Sequence, residues 1–210
     1  NVPANEFLNL EGQKLSTSRN WAVWLNEYLE AFPNKQDELR YVLTSIAPEF
    51  KDSEFTWRDY QARVNNELVA ILGNFVNRCL VLTSKYFDGK VPETESFDEK
   101  DSEAEQKIKN LSADVGSLME QNHLDRALKK IMEFSSFFNQ YFQHKEPWKL
   151  EPGTTNCVFL SVNAARSMAI ALFPFLPESS QKIWTQLGLE GNVNDSSWSD
   201  ISELGISSGH

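Results

Sequence analysis

Apolar residues recur along this chain mostly at spacings of three and four, the period of a helix with one buried face. From Trp57 to Phe87, Tyr60, Val64, Leu68, Ile71, Phe75, Cys79 and Leu82 form one such stripe and predict a single helix of about eight turns. Thr56 with Asp59 reads as a capping box at its start, and Asp88-Gly89 as its stop. A weaker amphipathic helix is predicted over Glu99–Gln121, with Gly116 inside it. Asn122 reads as the N-cap of a third helix, His123 to Lys145, with Leu124, Leu128, Ile131, Phe134, Phe138 and Tyr141 inward. Glu146-Pro147 ends that helix, because a residue before proline is pushed out of the helical region. Thr154–Phe173 is apolar nearly all round and is expected to be the most buried helix. A short fifth lies between Ser179 and Leu187. Ahead of the long helix, Asn20–Phe32 and Asp37–Ile46 read as two shorter helices split by Pro33-Asn34. The first 19 residues read as a loop with a strand at Glu6–Leu10, and no more than two short strands are expected in all. The tail after Gly188 is polar and turn-rich.

No self-similar period appears, which excludes a solenoid. The expected fold is all-α, an up-and-down helical bundle preceded by a short loop region. Its expected divisions are an entry region at 1–55, a helical domain at 56–190 and a tail at 191–210.

With 210 residues, 40% of them hydrophobic, and 14 Phe and 6 Trp, the chain has ample material for a core and is not disordered. Its most apolar stretch is broken by Arg166, Pro174 and Pro177, so no bilayer-spanning segment is expected. NVPANEFLNLEG carries neither a basic start nor an apolar run, so no signal peptide is expected. The missing initiator Met suggests a piece of a longer protein. Cys79 and Cys157 both fall inside apolar patterns, which fits a reducing cytoplasm better than a disulfide framework.

A net charge of −10 argues at first against nucleic acid, whose phosphates call for Lys and Arg. The charge is unevenly spread. Residues 88–105 hold eight acids against two bases, and residues 151–210 six against two. Residues 60–87 hold one acid against three bases, and residues 106–150 five against seven. Two modestly basic segments thus lie inside an acidic chain, equally compatible with an ordinary solvated surface.

Catalytic signatures are missing: there is no metal-ligand spacing among two Cys and three His, no G-x-S-x-G, no Walker loop and no dinucleotide fingerprint. His123 and His144 read as surface or structural residues. The informative segment is LEGQKLSTSR at Leu10–Arg19, a polar loop whose Lys14 and Arg19 supply charge and whose Ser16, Thr17 and Ser18 supply hydroxyls, groups that suit a polyphosphate. Asn74 and Arg78 stand at i and i+4 on one helix face. An amide and a guanidinium together can read a base edge, and Trp148, after Pro147, offers a flat surface for an unstacked base. Taken alone, the same residues describe a solvated helix face and a tryptophan closing a helix end.

FLNLEGQKLSTSRNWAVW resembles the KMSKS loop of the methionyl-tRNA synthetase family, including its aromatic-Leu-Asn-x-Glu-Gly lead-in. LRYVLTSIAPEFKDSEFTWRDYQARVNNELVAILGNFVNR is similar to that family's stretch from the stem-contact region into its anticodon-binding bundle. EPWKL at 146–150 matches its Pro-Trp element, and WSDISELGISSGH resembles the tail that returns toward the catalytic domain. The resemblance covers the chain end to end and identifies it as a fragment of a bacterial, class I member of the family, running from the KMSKS loop through the anticodon-binding domain.

The resemblance implies an enzyme that ligates methionine to its tRNA with ATP in the cytoplasm. Lys14, Ser16, Thr17 and Ser18 would take the places of the loop that assists ATP. Asn74, Arg78 and Trp148 would bind the CAU anticodon of the tRNA(Met) stem-loop. The family's loop usually carries a lysine where Thr17 stands; threonine supplies no charge, so Thr17 takes the position without the lysine's role. The Rossmann catalytic domain and the zinc-binding insertion would lie before Asn1, so the fragment alone is expected to be inactive, to bind ATP only within the intact enzyme and to hold no metal. Its partners would be the tRNA and the missing catalytic domain, with neither membrane nor DNA. A helical protein-interaction module stays open as a competing reading, as does the anticodon domain of a leucyl, isoleucyl, valyl or cysteinyl enzyme.

Overall fold

The structure, a computed structural model, describes residues 4–210; the first three residues of the predicted entry loop lie outside the described part. The entry begins with strand β1 (Leu8–Leu10), which turns through Glu11 and Gly12 into β2 (Gln13–Lys14). Both turn residues are left-handed, φ 48° and 75°, as a two-residue hairpin requires. Helices α1 (Leu25–Ala31) and α2 (Gln36–Ser45) follow. Strand β3 (Ser53–Phe55) then pairs parallel with β1, giving the order β2-β1-β3. The sheet has one strand more than the sequence pattern predicts. The pattern places only the first strand; it places neither Ser53–Phe55 nor the polar Gln13–Lys14, whose pairing comes from the turn and not from any alternation of its own.

The predicted long helix runs unbroken from Trp57 to Phe87 but changes type. It is α-helical over Trp57–Arg63 (α3), π-helical over Val64–Gly73 and α-helical again over Asn74–Phe87 (α4). The wider i→i+5 turns rotate the stripe. Leu72, not Ile71, reaches the core, followed by Phe75, Val76, Cys79 and Leu82. Thr56 caps the start through its hydroxyl, which accepts from the Asp59 amide at 3.0 Å. The reciprocal half of the box is absent, because the Asp59 carboxylate pairs with Arg63 at 2.7 Å. Left-handed Asp88 (φ 52°) stops the helix as expected. By length and composition this helix could cross a membrane, with a mean hydropathy of 1.2 over its best 18 residues, a third of which are buried in the bundle.

Helices α5 (Glu99–Glu120) and α6 (Leu124–Lys145) form the next hairpin. Asn122 does not cap α6. It sits left-handed at φ 60° and closes α5, its amide donating to the Met119 carbonyl, while His123 takes the cap position. Asparagine tolerates that conformation, so one residue type serves either terminus. Helix α7 (Thr154–Leu172) is buried at all positions except Thr155 and Phe159 and packs against α4, α5, α6 and α8 (Pro177–Gln186). The bundle core therefore wraps around α7. The entry region is tied to it through α2: Arg40 donates to the carbonyls of Phe175 and Pro174 at 2.7 and 2.8 Å, and Asp37 accepts from the Ser179 amide.

The polar tail folds back on the bundle through two short 3₁₀ turns, Val193–Asp195 and Trp198–Ser202. The Trp198 indole lies against Gly116, where a Cβ would stand 2.9 Å from its nitrogen, and donates to the Ser112 carbonyl. That explains a glycine inside α5. Ile201 and Ile206 are buried, Asn163 of α7 exchanges two hydrogen bonds with the backbone of Ile206, and Arg166 donates to the Asp200 and Glu203 carbonyls. The tail's contacts among the described residues include α5, α7, α8 and the backbone of Val91.

Candidate nucleic-acid interface

Helices α4 and α6 run side by side in the same direction, and two hydrogen bonds 65 residues apart set their register. Asn74 donates through Nδ2 to Asn139 Oδ1 at 3.0 Å, and one turn on, Arg78 donates through Nη2 to Gln143 Oε1 at 3.2 Å. The i,i+4 pair on α4 is matched by an i,i+4 amide pair on α6. Asn139 is held from behind, its Nδ2 donating to the Ile71 carbonyl at 2.9 Å and to the Ser135 carbonyl at 3.3 Å. Ile71 belongs to the last π turn, so the change of helix type supplies an anchor for the α6 amide.

Trp148 lies in a single 3₁₀ turn, Pro147–Lys149, between two left-handed residues, Glu146 (φ 44°) and Leu150 (φ 57°). The proline does push Glu146 out of the right-handed helical region, but to the left-handed one and not to the extended region. The turn carries the indole back over the end of α6. There its ring centroid lies 6.4 Å from that of Phe142, and the Arg78 guanidinium stands 4.9 Å from the Phe142 centroid and 5.6 Å from that of Trp148. Trp148 keeps 37% of its surface in solvent, enough to leave one face available. Asn74, Arg78 and Trp148 are thereby brought to one surface at the α4–α6 seam.

Beneath that surface lies a polar cluster the sequence did not announce. Lys145, at the last turn of α6, is 2.6 Å from both Asp98 and Asp101, and Asp101 also accepts from the Tyr141 hydroxyl and the Asn156 amide. Burial works against the Lys145 ammonium, yet its bonds to Asp101 and Asp98 outweigh it and hold its pKa above the ordinary lysine value. The Lys145 contact draws the Asp98 carboxyl below the usual carboxylate range. Burial pushes the Tyr141 hydroxyl upward, and the Asp101 carboxylate adds to it. The cluster fixes the end of α6 from which the Trp148 turn departs.

The basic segment at 106–150 does not bring all its cations here. Lys129 and Lys130 lie 13 or more residues before Gln143 on α6, about 20 Å along the axis, so they do not border this surface. Lys130 pairs with Glu133 at 3.5 Å, and Lys149, next to Trp148, pairs with Glu146. Asn139 and Gln143 were missed by sequence reasoning. Their signal was the amide pair at i,i+4, legible only once α4 and α6 are known to be neighbours.

The second candidate set sits at the other end of the chain. Lys14 is exposed on β2, its ammonium 5.1 Å from the centroid of the Phe7 ring. Ser16 bridges to Trp21, and its hydroxyl lies 3.2 Å from that of Ser18; Thr17 is exposed, its carbonyl accepting from the Asn20 amide. The loop is tied down at both ends. Glu54 accepts from the Gly12 amide, Glu11 from the Trp57 amide at 2.8 Å, and the Trp21 indole donates to the Leu10 carbonyl at 3.0 Å.

The family model for class I tRNA synthetases (M) matches residues 1–80, which include Lys14, Asn74 and Arg78. The model for the anticodon-binding domain of tRNA ligases matches residues 101–208, which include Asn139 and Trp148. The chain is 54% identical over 194 residues to a methionine–tRNA ligase of Porphyromonas gingivalis, covering 90% of the chain and 28% of that protein. It is 49% identical over 205 residues to the methionine–tRNA ligase of Bacteroides fragilis, 96% of the chain and 30% of the relative. It thus spans under a third of the length of these curated relatives. Among solved structures, Mycobacterium tuberculosis methionyl-tRNA synthetase in complex with methionyl-adenylate superposes with a TM-score of 0.86 at 26% identity, over 98% of this chain and 41% of that one. With a helical bundle around α7 and a family match over half its length, the chain belongs to the family of anticodon-binding domains of tRNA ligases.

Proposed function

We propose that this chain is the tRNA-reading part of a methionine–tRNA ligase and that Asn74, Arg78 and Trp148 hold the CAU anticodon of its tRNA. The observation that carries the reading is the α4–α6 seam. A half-exposed indole, a guanidinium lying between two aromatic faces and a tethered amide share one surface. Trp148 offers a stacking face, and Arg78 and Asn74 offer donors and an acceptor to the edge of an unpaired base. In an acidic chain, specificity falls to such close contacts and not to phosphate steering.

In this reading residues 56–190 form the anticodon module and residues 191–210 its strap. Residues 1–55 form the region that joins it to a catalytic domain. Lys14 and the hydroxyls of Ser16, Thr17 and Ser18 project from one hairpin, and their chemistry fits the phosphates of ATP. The adenine and the amino acid would be bound by parts of the enzyme outside this chain, where the family's zinc would also sit. Cytoplasmic protein synthesis is the setting the reading requires.

The test is binding of the chain to RNA stem-loops carrying CAU or a changed first base. Trp148→Ala is expected to weaken the CAU loop by about 1–3 kcal/mol, one base stack. Arg78→Ala and Asn74→Ala are expected to reduce discrimination at the first base. If all three variants bind every loop like the parent chain, the assignment fails.

A further inference from the structure

We infer that Asn139 is a positioning residue that decides which first anticodon base the Asn74 side chain accepts; the inference rests on the function proposed above. An asparagine side chain is ambiguous, since rotation about its last bond exchanges a donor for an acceptor. Asn139 removes that ambiguity by a relay that starts in the backbone. The carbonyls of Ile71 and Ser135 can only accept, and both face the Nδ2 of Asn139, at 2.9 and 3.3 Å. Its amide nitrogen is therefore committed to them. Its Oδ1 must then point the other way, toward Asn74, and Asn74 can meet it only with its own Nδ2, at 3.0 Å. The Asn74 carbonyl oxygen is thereby fixed on the side away from the Asn139 contact, with the second Nδ2 hydrogen in a set place beside it.

A fixed acceptor distinguishes the two pyrimidines. Cytosine presents an exocyclic amino group, which donates, where uracil presents a carbonyl, which does not. With Asn74 locked, the base group opposite its Oδ1 must donate: the cytosine amino group does, whereas the uracil carbonyl in that place meets an oxygen. With Asn74 released, the amide can turn and donate to uracil as readily as it accepts from cytosine. The neighbouring turn lacks this rear lock. Gln143 accepts from Arg78, whose guanidinium only donates, so no choice is made there. The discrimination is assigned to Asn139 for that reason.

The measurement is fluorescence anisotropy of the whole chain with stem-loops carrying CAU and UAU, for the parent chain and for Asn74→Ala, Asn139→Ala, Asn139→Leu and Asn139→Asp. The parent chain is expected to prefer CAU. Asn139→Ala should lose roughly tenfold of that preference, the size of one base contact, and approach Asn74→Ala. Asn139→Leu fills the same space without polar atoms, and stands in if the alanine variant does not fold; it should lose the preference equally. Asn139→Asp gives up the bonds to the Ile71 and Ser135 carbonyls but presents only acceptors, so it still holds the Asn74 Nδ2 toward itself. It should bind both loops more weakly because of its charge and lost anchors yet keep the CAU:UAU ratio within about threefold of the parent. A purely structural role would not separate the aspartate from the leucine variant. If the parent chain and Asn74→Ala differ in preference while Asn139→Ala and Asn139→Leu keep the parent ratio, the relay is refuted and the anticodon reading stands. If the parent chain itself shows no preference, the anticodon reading falls and the relay with it.

Discussion

Replacing Gly205 by alanine should release the tail from the bundle while leaving the bundle folded. A Cβ at Gly205 would lie 2.4 Å from Cζ of Arg166 and 2.7 Å from its Nε and Nη1. Ordinary contact needs the guanidinium to retreat by about 1 Å. It cannot do so freely, because it is buried and donates to the Asp200 carbonyl at 2.8 Å and the Glu203 carbonyl at 3.4 Å. Forced overpacking costs about 1–3 kcal/mol, and the loss of a hydrogen bond from a charged group about 1.5–3 kcal/mol. Together they set the expected penalty at about 3–5 kcal/mol. The tail holds on by burying Ile201 and Ile206 and half-burying Trp198, and the entropy lost in ordering its residues offsets most of that gain. Its net hold is therefore smaller than the penalty, and undocking is the cheaper response. Hydrogen exchange read by mass spectrometry should show peptides from 196–210 exchanging fast in Gly205→Ala, with α5, α6 and α7 protected as before. In an Arg166→Met background the clash partner is gone, and the same substitution should cost less than about 1 kcal/mol. Unchanged tail protection, or an equal cost in both backgrounds, would refute the latch.

Leu150 is left-handed at φ 57° with 54% of its surface exposed, so Leu150→Gly should relieve strain and lose little packing. The expected gain is about 0.5–1 kcal/mol, or a few degrees in Tm by calorimetry, and a fall in Tm would count against the strained turn. The Asp98–Lys145–Tyr141 cluster bends stability at both ends of the pH scale. The lowered Asp98 pKa gives stability that is present above the unfolded carboxylate value, about 4, and lost as pH falls through the folded one. Lys145 and Tyr141 are raised, so their contributions are full below their unfolded values, about 10, and fade as pH rises through the folded ones. Lys145→Met leaves Asp101 buried and without its cation, and should lower stability at pH 7 by about 3 kcal/mol in urea titrations; a change near zero would show the ion pair to be replaceable.

The helices were legible because each buries one face of a period near 3.6, and the stop at Asp88 because its residue pair permits a left-handed turn. What escaped was decided by neighbours. The π segment obeys the same spacing of three and four as the α turns around it, and only the burial of Leu72 in place of Ile71 betrays it. Gln13–Lys14 carries no strand pattern and becomes a strand through the turn before it. Within the site, Asn74, Arg78 and Trp148 were picked by residue type and resemblance, whereas Asn139, Gln143 and Lys145 needed the α4–α6 register to acquire partners. Asn122 failed as a cap because asparagine suits both ends of a helix, and the local sequence does not say which.

The position of α7 along the chain has a consequence for how the protein is made. Helices α4, α5 and α6 all lean on it, yet the ribosome finishes it only after all three. At 5–20 residues per second, the stretch from the end of α6 to the end of α7 takes on the order of seconds to synthesise. The α5–α6 hairpin is local and forms far faster than that. During those seconds a nascent chain presents three apolar faces around an empty slot, the interval in which it can stick to its neighbours or engage a chaperone. The small residues of α7, among them Ser161, Ala164, Ala165, Ser167, Ala169 and Ala171, suit it to enter a slot whose walls already stand.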